Sequence, residues 1–79
     1  MTLEIITPDK SLYSGEVKLV QLPGSNGSFE LLNNHAPLIA TLKAGTIKIE
    51  DLTTSAQQTF VIKGGVVEVN NNKAIVLAE

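Results

Sequence analysis

The stretch Thr46-Ile47-Lys48-Ile49-Glu50 decides the fold class, because it sends two isoleucines to one side and three polar residues to the other. That period of two belongs to a β-strand with one buried and one wet face. Working outward, Val67-Glu68-Val69 repeats the alternation and Leu3-Glu4-Ile5 opens the chain with it. Lys73 to Glu79 reads as a closing strand of the same kind. Seven Val, seven Ile and seven Thr among 79 residues supply β-branched side chains suited to a pleated surface.

Turn signals punctuate these runs at short intervals: Pro8-Asp9, Pro23-Gly24, Asn26-Gly27, Asn33-Asn34, Ala44-Gly45, Thr53-Thr54-Ser55, Gly64-Gly65 and Asn70-Asn71-Asn72. Strands joined by so few residues pair antiparallel, since a parallel return needs a long crossover. The expected fold is all-β, an antiparallel flattened β-barrel or sandwich of about eight to ten short strands. Period-two counting places Ile47, Ile49, Phe60, Ile62, Val67, Val69, Ile75 and Leu77 in the core. Between Val17 and Leu22 the apolar phase slips, which predicts a bulge or a strand covered on both faces. Pro37 argues against a helix in the apolar segment Leu31 to Leu42.

Composition excludes several functions. There are six Lys, no Arg, eight acidic residues and one His, for a net charge of -2, so no basic face for nucleic acid is expected. Without Cys there are no disulfides, thiolate metal sites or Cys nucleophiles. No apolar run approaches the roughly 20 residues of a membrane-spanning helix, and the N-terminus lacks a signal-peptide pattern. One domain spanning residues 1–79, with no direct membrane insertion and soluble when isolated, is the expectation.

Candidate chemistry is sparse. His35 alone makes neither a triad nor a three-ligand zinc site, and no carboxylate pair is placed together, so no catalytic, metal or cofactor site is expected. Gly24-Ser25-Asn26-Gly27 lacks the Gly-Lys-Ser/Thr ending and following helix of a phosphate loop, and reads as an Asn-Gly hairpin turn. ATP binding is therefore not expected. Lys10, in Pro8-Asp9-Lys10-Ser11, invites comparison with the modified lysine of lipoyl and biotinyl carrier domains, and a small β-barrel carrier or ligand-binding module is the alternative function. Lys10 follows only one strand and reads more simply as a solvated turn lysine. The apolar segment from Phe29 to Leu42 admits two readings, a buried strand pair or a partner-binding patch.

Taken in order, Thr7-Pro8-Asp9, Leu12-Tyr13-Ser14-Gly15-Glu16-Val17, Leu22-Pro23-Gly24, Gly27-Ser28-Phe29, His35-Ala36-Pro37-Leu38 and Gly64-Gly65-Val66-Val67-Glu68-Val69 carry a resemblance over the whole chain. The sequence resembles the N-terminal β domain of the epsilon subunit of rotary F-type ATP synthases, called delta in mitochondria. The resemblance implies a non-catalytic central-stalk subunit that links the gamma subunit to the polar loops of the membrane c-ring, at the cytoplasmic face of a bacterial inner membrane. It further implies a gamma-facing surface at Thr7, His35, Leu38 and Ala40, and a separate c-ring-facing hairpin at Ser25, Asn26, Gly27, Ser28 and Phe29. Ser28 stands where the family often carries an acid, Glu30 replaces a usual Gly, and Asn33-Asn34 replaces a frequent Pro-Gly. Most family members continue past a strand like Lys73 to Glu79 into a helical hairpin. That hairpin has no counterpart in this sequence.

Overall fold

The alternation at Thr46 to Glu50 lies in the second half of a 14-residue strand, β4 (Leu38–Asp51), where Ile47 and Ile49 are fully buried. A computed structural model describes every residue from Met1 to Glu79 and contains five further strands and no helix. They are β1 (Thr2–Ile6), β2 (Ser11–Gly24), β3 (Gly27–Leu32), β5 (Gln57–Asn70) and β6 (Lys73–Ala78). The sheet runs β1-β6-β5-β4-β2-β3, and an additional β1–β2 pairing closes it into a barrel with β3 added outside the ring on β2. The barrel is flattened, with extents of 28 × 24 × 20 Å.

Six strands replace the expected eight to ten, and the glycines explain the difference. Ala44-Gly45 and Gly64-Gly65, read as turns, lie inside β4 and β5 and stand near each other, with Lys43 opposite Gly64. Both Gly64 and Gly65 have φ of +153°, a backbone that L side chains rarely adopt, and a Cβ on Gly65 would stand 2.3 Å from the Leu77 carbonyl oxygen. These glycines bend long strands around the barrel rather than ending them. β2 changes partners instead, pairing with β1 up to Glu16 and with β3 and β4 beyond Val17. Its register against β4 shifts between Val17 and Leu19, where the phase slip predicts a bulge.

The expectation of wholly antiparallel pairing fails at one place: β1 and β6 run parallel. Short loops force antiparallel pairing only between consecutive strands, and these are the first and last, brought together by closure. The interior is apolar throughout, with Leu3, Ile5, Val20, Leu22, Val67 and Val76 among its sealed residues and no buried polar or charged side chain. Each fully buried Val, Leu or Ile contributes roughly 1.5–3 kcal/mol relative to exposure.

Two core assignments are corrected in β6. Ala74, Val76 and Ala78 point inward, whereas Ile75 is half-buried and Leu77 is 55% exposed. Register dictates this, since Val67 and Val69 face inward and oppose Val76 and Ala74. Both phases of Ala74 to Ala78 are apolar, so alternation alone could not separate them. Phe60 is only half-buried, tilted against Tyr13 at a centroid distance of 5.8 Å.

Candidate partner-binding surfaces

The β2–β3 hairpin presents the first surface. Gly24 pairs with Gly27, which makes Ser25 and Asn26 the turn centre, one residue earlier than the expected Asn26-Gly27 turn. Gly27 takes the positive φ, +129°, on entering β3. The tip is braced against β4: Ser25 N–H donates to the Thr41 carbonyl at 3.0 Å, and the Thr41 hydroxyl donates to Ser25 Oγ at 2.9 Å. Gly24 is required by close approach, because a Cβ there would lie 2.5 Å from the Gly27 carbonyl oxygen and 2.7 Å from the Phe29 ring. Ser25, Asn26, Gly27 and Ser28 are exposed, while Phe29 is half-buried and packs against the core.

The second surface starts at the β3–β4 loop. Asn34 sits at φ +63°, so asparagine supplies the left-handed residue that glycine would otherwise give. His35 is exposed; its N–H donates to the Leu32 carbonyl at 3.2 Å, and its Nδ1 lies 2.7 Å from the Ala36 carbonyl oxygen, which requires the ring proton on Nδ1. Leu38 and Ala40 pair with Val69 and Val67, and both are half-buried against the core. Between them Ile39 faces the other way and is 73% exposed, an outward apolar side chain that the two-reading analysis of this segment did not single out. Alternation from Leu38 would have found it.

Thr7 stands apart from His35. The Met1 ammonium bonds Asn33 beside the His35 loop, and β1 then runs the length of the barrel before Thr7, roughly 20 Å at strand rise. There the Thr7 hydroxyl lies 3.2 Å from both the Lys10 carbonyl and the Lys10 amide, an ordinary turn that leaves the Lys10 side chain exposed. The hairpin tip, by contrast, adjoins the β4 surface, since Gly24 to Phe29 and Ile39 to Thr41 line one shallow groove. The two expected surfaces therefore share an edge at Ala40 rather than lying wholly apart.

No three His, Asp or Glu side chains converge, and no helix is long and apolar enough to cross a membrane. The perturbed carboxylate, Asp51, ends β4, at the opposite end of that strand from Leu38 and Ala40. The N–H groups of Thr54 and Thr53 donate to its Oδ1 at 3.0 and 2.9 Å and hold its pKa below the usual carboxylate value.

Residues 1–79 match the family described as ATP synthase, Delta/Epsilon chain, beta-sandwich domain. The chain belongs to that family. Its members are non-catalytic subunits of the synthase. The ATP synthase epsilon chain of Chlorobaculum tepidum is 49% identical over 78 residues, spanning 99% of this chain and 88% of that relative. The epsilon chain of Desulfatibacillum aliphaticivorans is 46% identical over 98% of this chain, which spans only 54% of that longer protein. In fold, this family member is similar to a chain in the Euglena gracilis mitochondrial ATP synthase, with a TM-score of 0.87 at 18% identity over 96% of this chain and 48% of that one.

Proposed function

We propose that this epsilon-family chain is a rotor subunit that joins the gamma subunit to the c-ring and turns with them, coupling proton flow to ATP synthesis without catalysing a step itself. The observation that carries the reading is the β2–β3 hairpin tip braced on β4 beside the outward Ile39, a rigid polar knob next to an apolar strand face. The descriptions of two structural neighbours support the setting, one naming F1 and the c-ring and the other the central stalk and c-ring. In this reading His35, Leu38 and Ala40, extended by Ile39, face gamma, with Thr7 as a detached second contact. Ser25 to Ser28 face the polar loops of the c-ring, and Phe29 holds the hairpin from beneath.

Torque transfer needs stiffness, and a closed barrel without a buried polar side chain supplies it. The subunit then sits at the cytoplasmic face of a bacterial inner membrane, held there through its partners. The test is a pull-down of the tagged chain against the same organism's gamma subunit, with and without the c-ring. Stoichiometric capture of gamma supports the reading; capture of neither partner overturns it.

A further inference from the structure

Three turns of this molecule hold left-handed residues other than glycine; Ser55 at φ +61° serves between β4 and β5, and asparagine fills the other two, with Asn34 at +63° before β4 and Asn71 and Asn72 at +49° and +59° between β5 and β6. Positive φ at both central residues matches the hairpin turn that suits the strand twist, where glycine serves equally well. Asparagine brings a side chain, and here the side chains meet. The Asn34 N–H donates to Asn72 Oδ1 at 2.7 Å. Asn72 Nδ2 donates to Asn33 Oδ1 at 3.0 Å, and that same oxygen accepts from the Met1 ammonium at 2.8 Å. The Thr2 N–H completes the knot by donating to the Asn72 backbone carbonyl at 3.1 Å.

We infer that Asn72 is a positioning residue for the His35-Ala36-Pro37 loop, latching it to the β5–β6 hairpin so that it meets its partner already ordered. The inference rests on the gamma-facing reading of His35 proposed above. The loop has little else to fix it. His35, Ala36 and Pro37 are exposed, and the backbone bond from His35 to Leu32 is long at 3.2 Å. The latch and the Met1 ammonium bond to Asn33 are the side-chain ties between this loop and distant parts of the chain. A loop ordered beforehand loses less freedom on binding, so its partner binds more tightly without any new contact. The Asn72 side-chain amide is used as both donor and acceptor, which fixes its orientation.

Asn72→Gly isolates the side chain, because glycine keeps the left-handed turn and removes only the amide. In the full chain we expect the Asn34 amide to exchange with solvent at least about tenfold faster, with the melting temperature nearly unchanged and gamma affinity about five- to tenfold weaker. Asn72→Asp retains the oxygen that accepts from Asn34, so it should keep Asn34 protected and hold gamma affinity near wild type. Unchanged exchange at Asn34 in Asn72→Gly would show that the latch does not form. Faster exchange with unchanged gamma affinity would show a latch that positions nothing, and either result overturns the inference. Failure of the wild-type chain to bind gamma instead removes the reading beneath it, and the exchange data then stand separately. If Asn72→Gly unfolds, a folded Asn72→Asp in which Asn34 protection and gamma affinity do not change together, one lost while the other is kept, would contradict the inference by itself.

Discussion

The barrel wall formed by β4, β5, β6 and β1 and the two loops that flank β3, the hairpin tip and the His35 loop, are held by different forces. In the wall, Ile47, Ile49, Val67, Val69 and Val76 are sealed from water and make up an apolar ladder. In the two loops, the Ser25 and Thr41 bonds and the Asn33–Asn72–Asn34 knot do the holding, mostly between exposed groups. Burial of apolar area is non-directional and supplies stability, whereas a hydrogen bond exchanged with water adds only about 0.5–1.5 kcal/mol but fixes geometry. The wall therefore sets whether the chain folds, and the polar loops set what shape it presents.

The largest effect should come from breaking the wall. Ile49→Ala removes a fully buried side chain and should cost about 2–4 kcal/mol, lowering the melting temperature by roughly 4–8 °C per kcal/mol in a domain of this size. A loss below about 1 kcal/mol in a denaturant titration would mean that the wall is not the source of stability.

Gly24→Ala comes next. Its Cβ has no room against Gly27 and Phe29, so the hairpin must open, at a cost of about 1–3 kcal/mol. Loss of the Ser25–Thr41 bonds should appear as faster amide exchange at Ser25 while Ile49 stays protected.

Ile39→Asp should separate the two regions. The side chain is already in water, so stability should change by no more than about 0.5 kcal/mol. Gamma binding should weaken tenfold or more, because the variant places a charge against an apolar contact. Leu38→Asp cannot make this separation, since Leu38 packs against the core and its substitution is expected to lower stability as well.

The smallest effects are electrostatic. Asp51 has a depressed pKa caused first by the Thr54 N–H and then by the Thr53 N–H, so its stabilising contribution is present above the ordinary value of 3.8. That contribution is lost as pH falls through the folded-state value. Asp51→Asn should flatten the melting-temperature profile on that acid limb and leave gamma binding alone. Tyr13, the single tyrosine, has its pKa raised above 10.0, mainly by burial and then by Asp51 and Glu16. Its phenolate absorbance should appear later than that of free tyrosine as pH rises. Folding stability should be lost over that window, because the unfolded chain ionises first.

The wall was legible from the sequence because its signal repeats: Ile47 and Ile49 alternate with lysine and acid, and Val67 and Val69 with Glu68. Where both phases are apolar, as in Ala74 to Ala78, alternation carries no information and only cross-strand register decides. Glycines misled for a related reason, since Gly64-Gly65 permits a turn and a bend equally and the choice depends on whether the strand still has neighbours to pair with. In the His35 loop the sequence indicated an ordered turn at Asn33-Asn34, because asparagine tolerates left-handed backbone. It could not indicate Asn72 as the partner of that turn, which lies 38 positions from Asn34 and meets it only through barrel closure. Family resemblance suggested candidate interface residues along the chain, but not the distance between Thr7 and His35.

The central claim is that a rigid, non-catalytic barrel carries two docking faces that adjoin at Ala40, and calorimetric titration of the chain against its own gamma subunit, free and attached to the c-ring, tests it most directly. The account predicts saturable one-to-one binding to gamma that Ile39→Asp weakens and Ser28→Lys spares. With the c-ring present it predicts tighter, salt-sensitive binding, and Ser28→Lys should remove that gain. No saturable binding to gamma below about 100 μM, or identical binding by wild type and a folded Ile39→Asp, would contradict it.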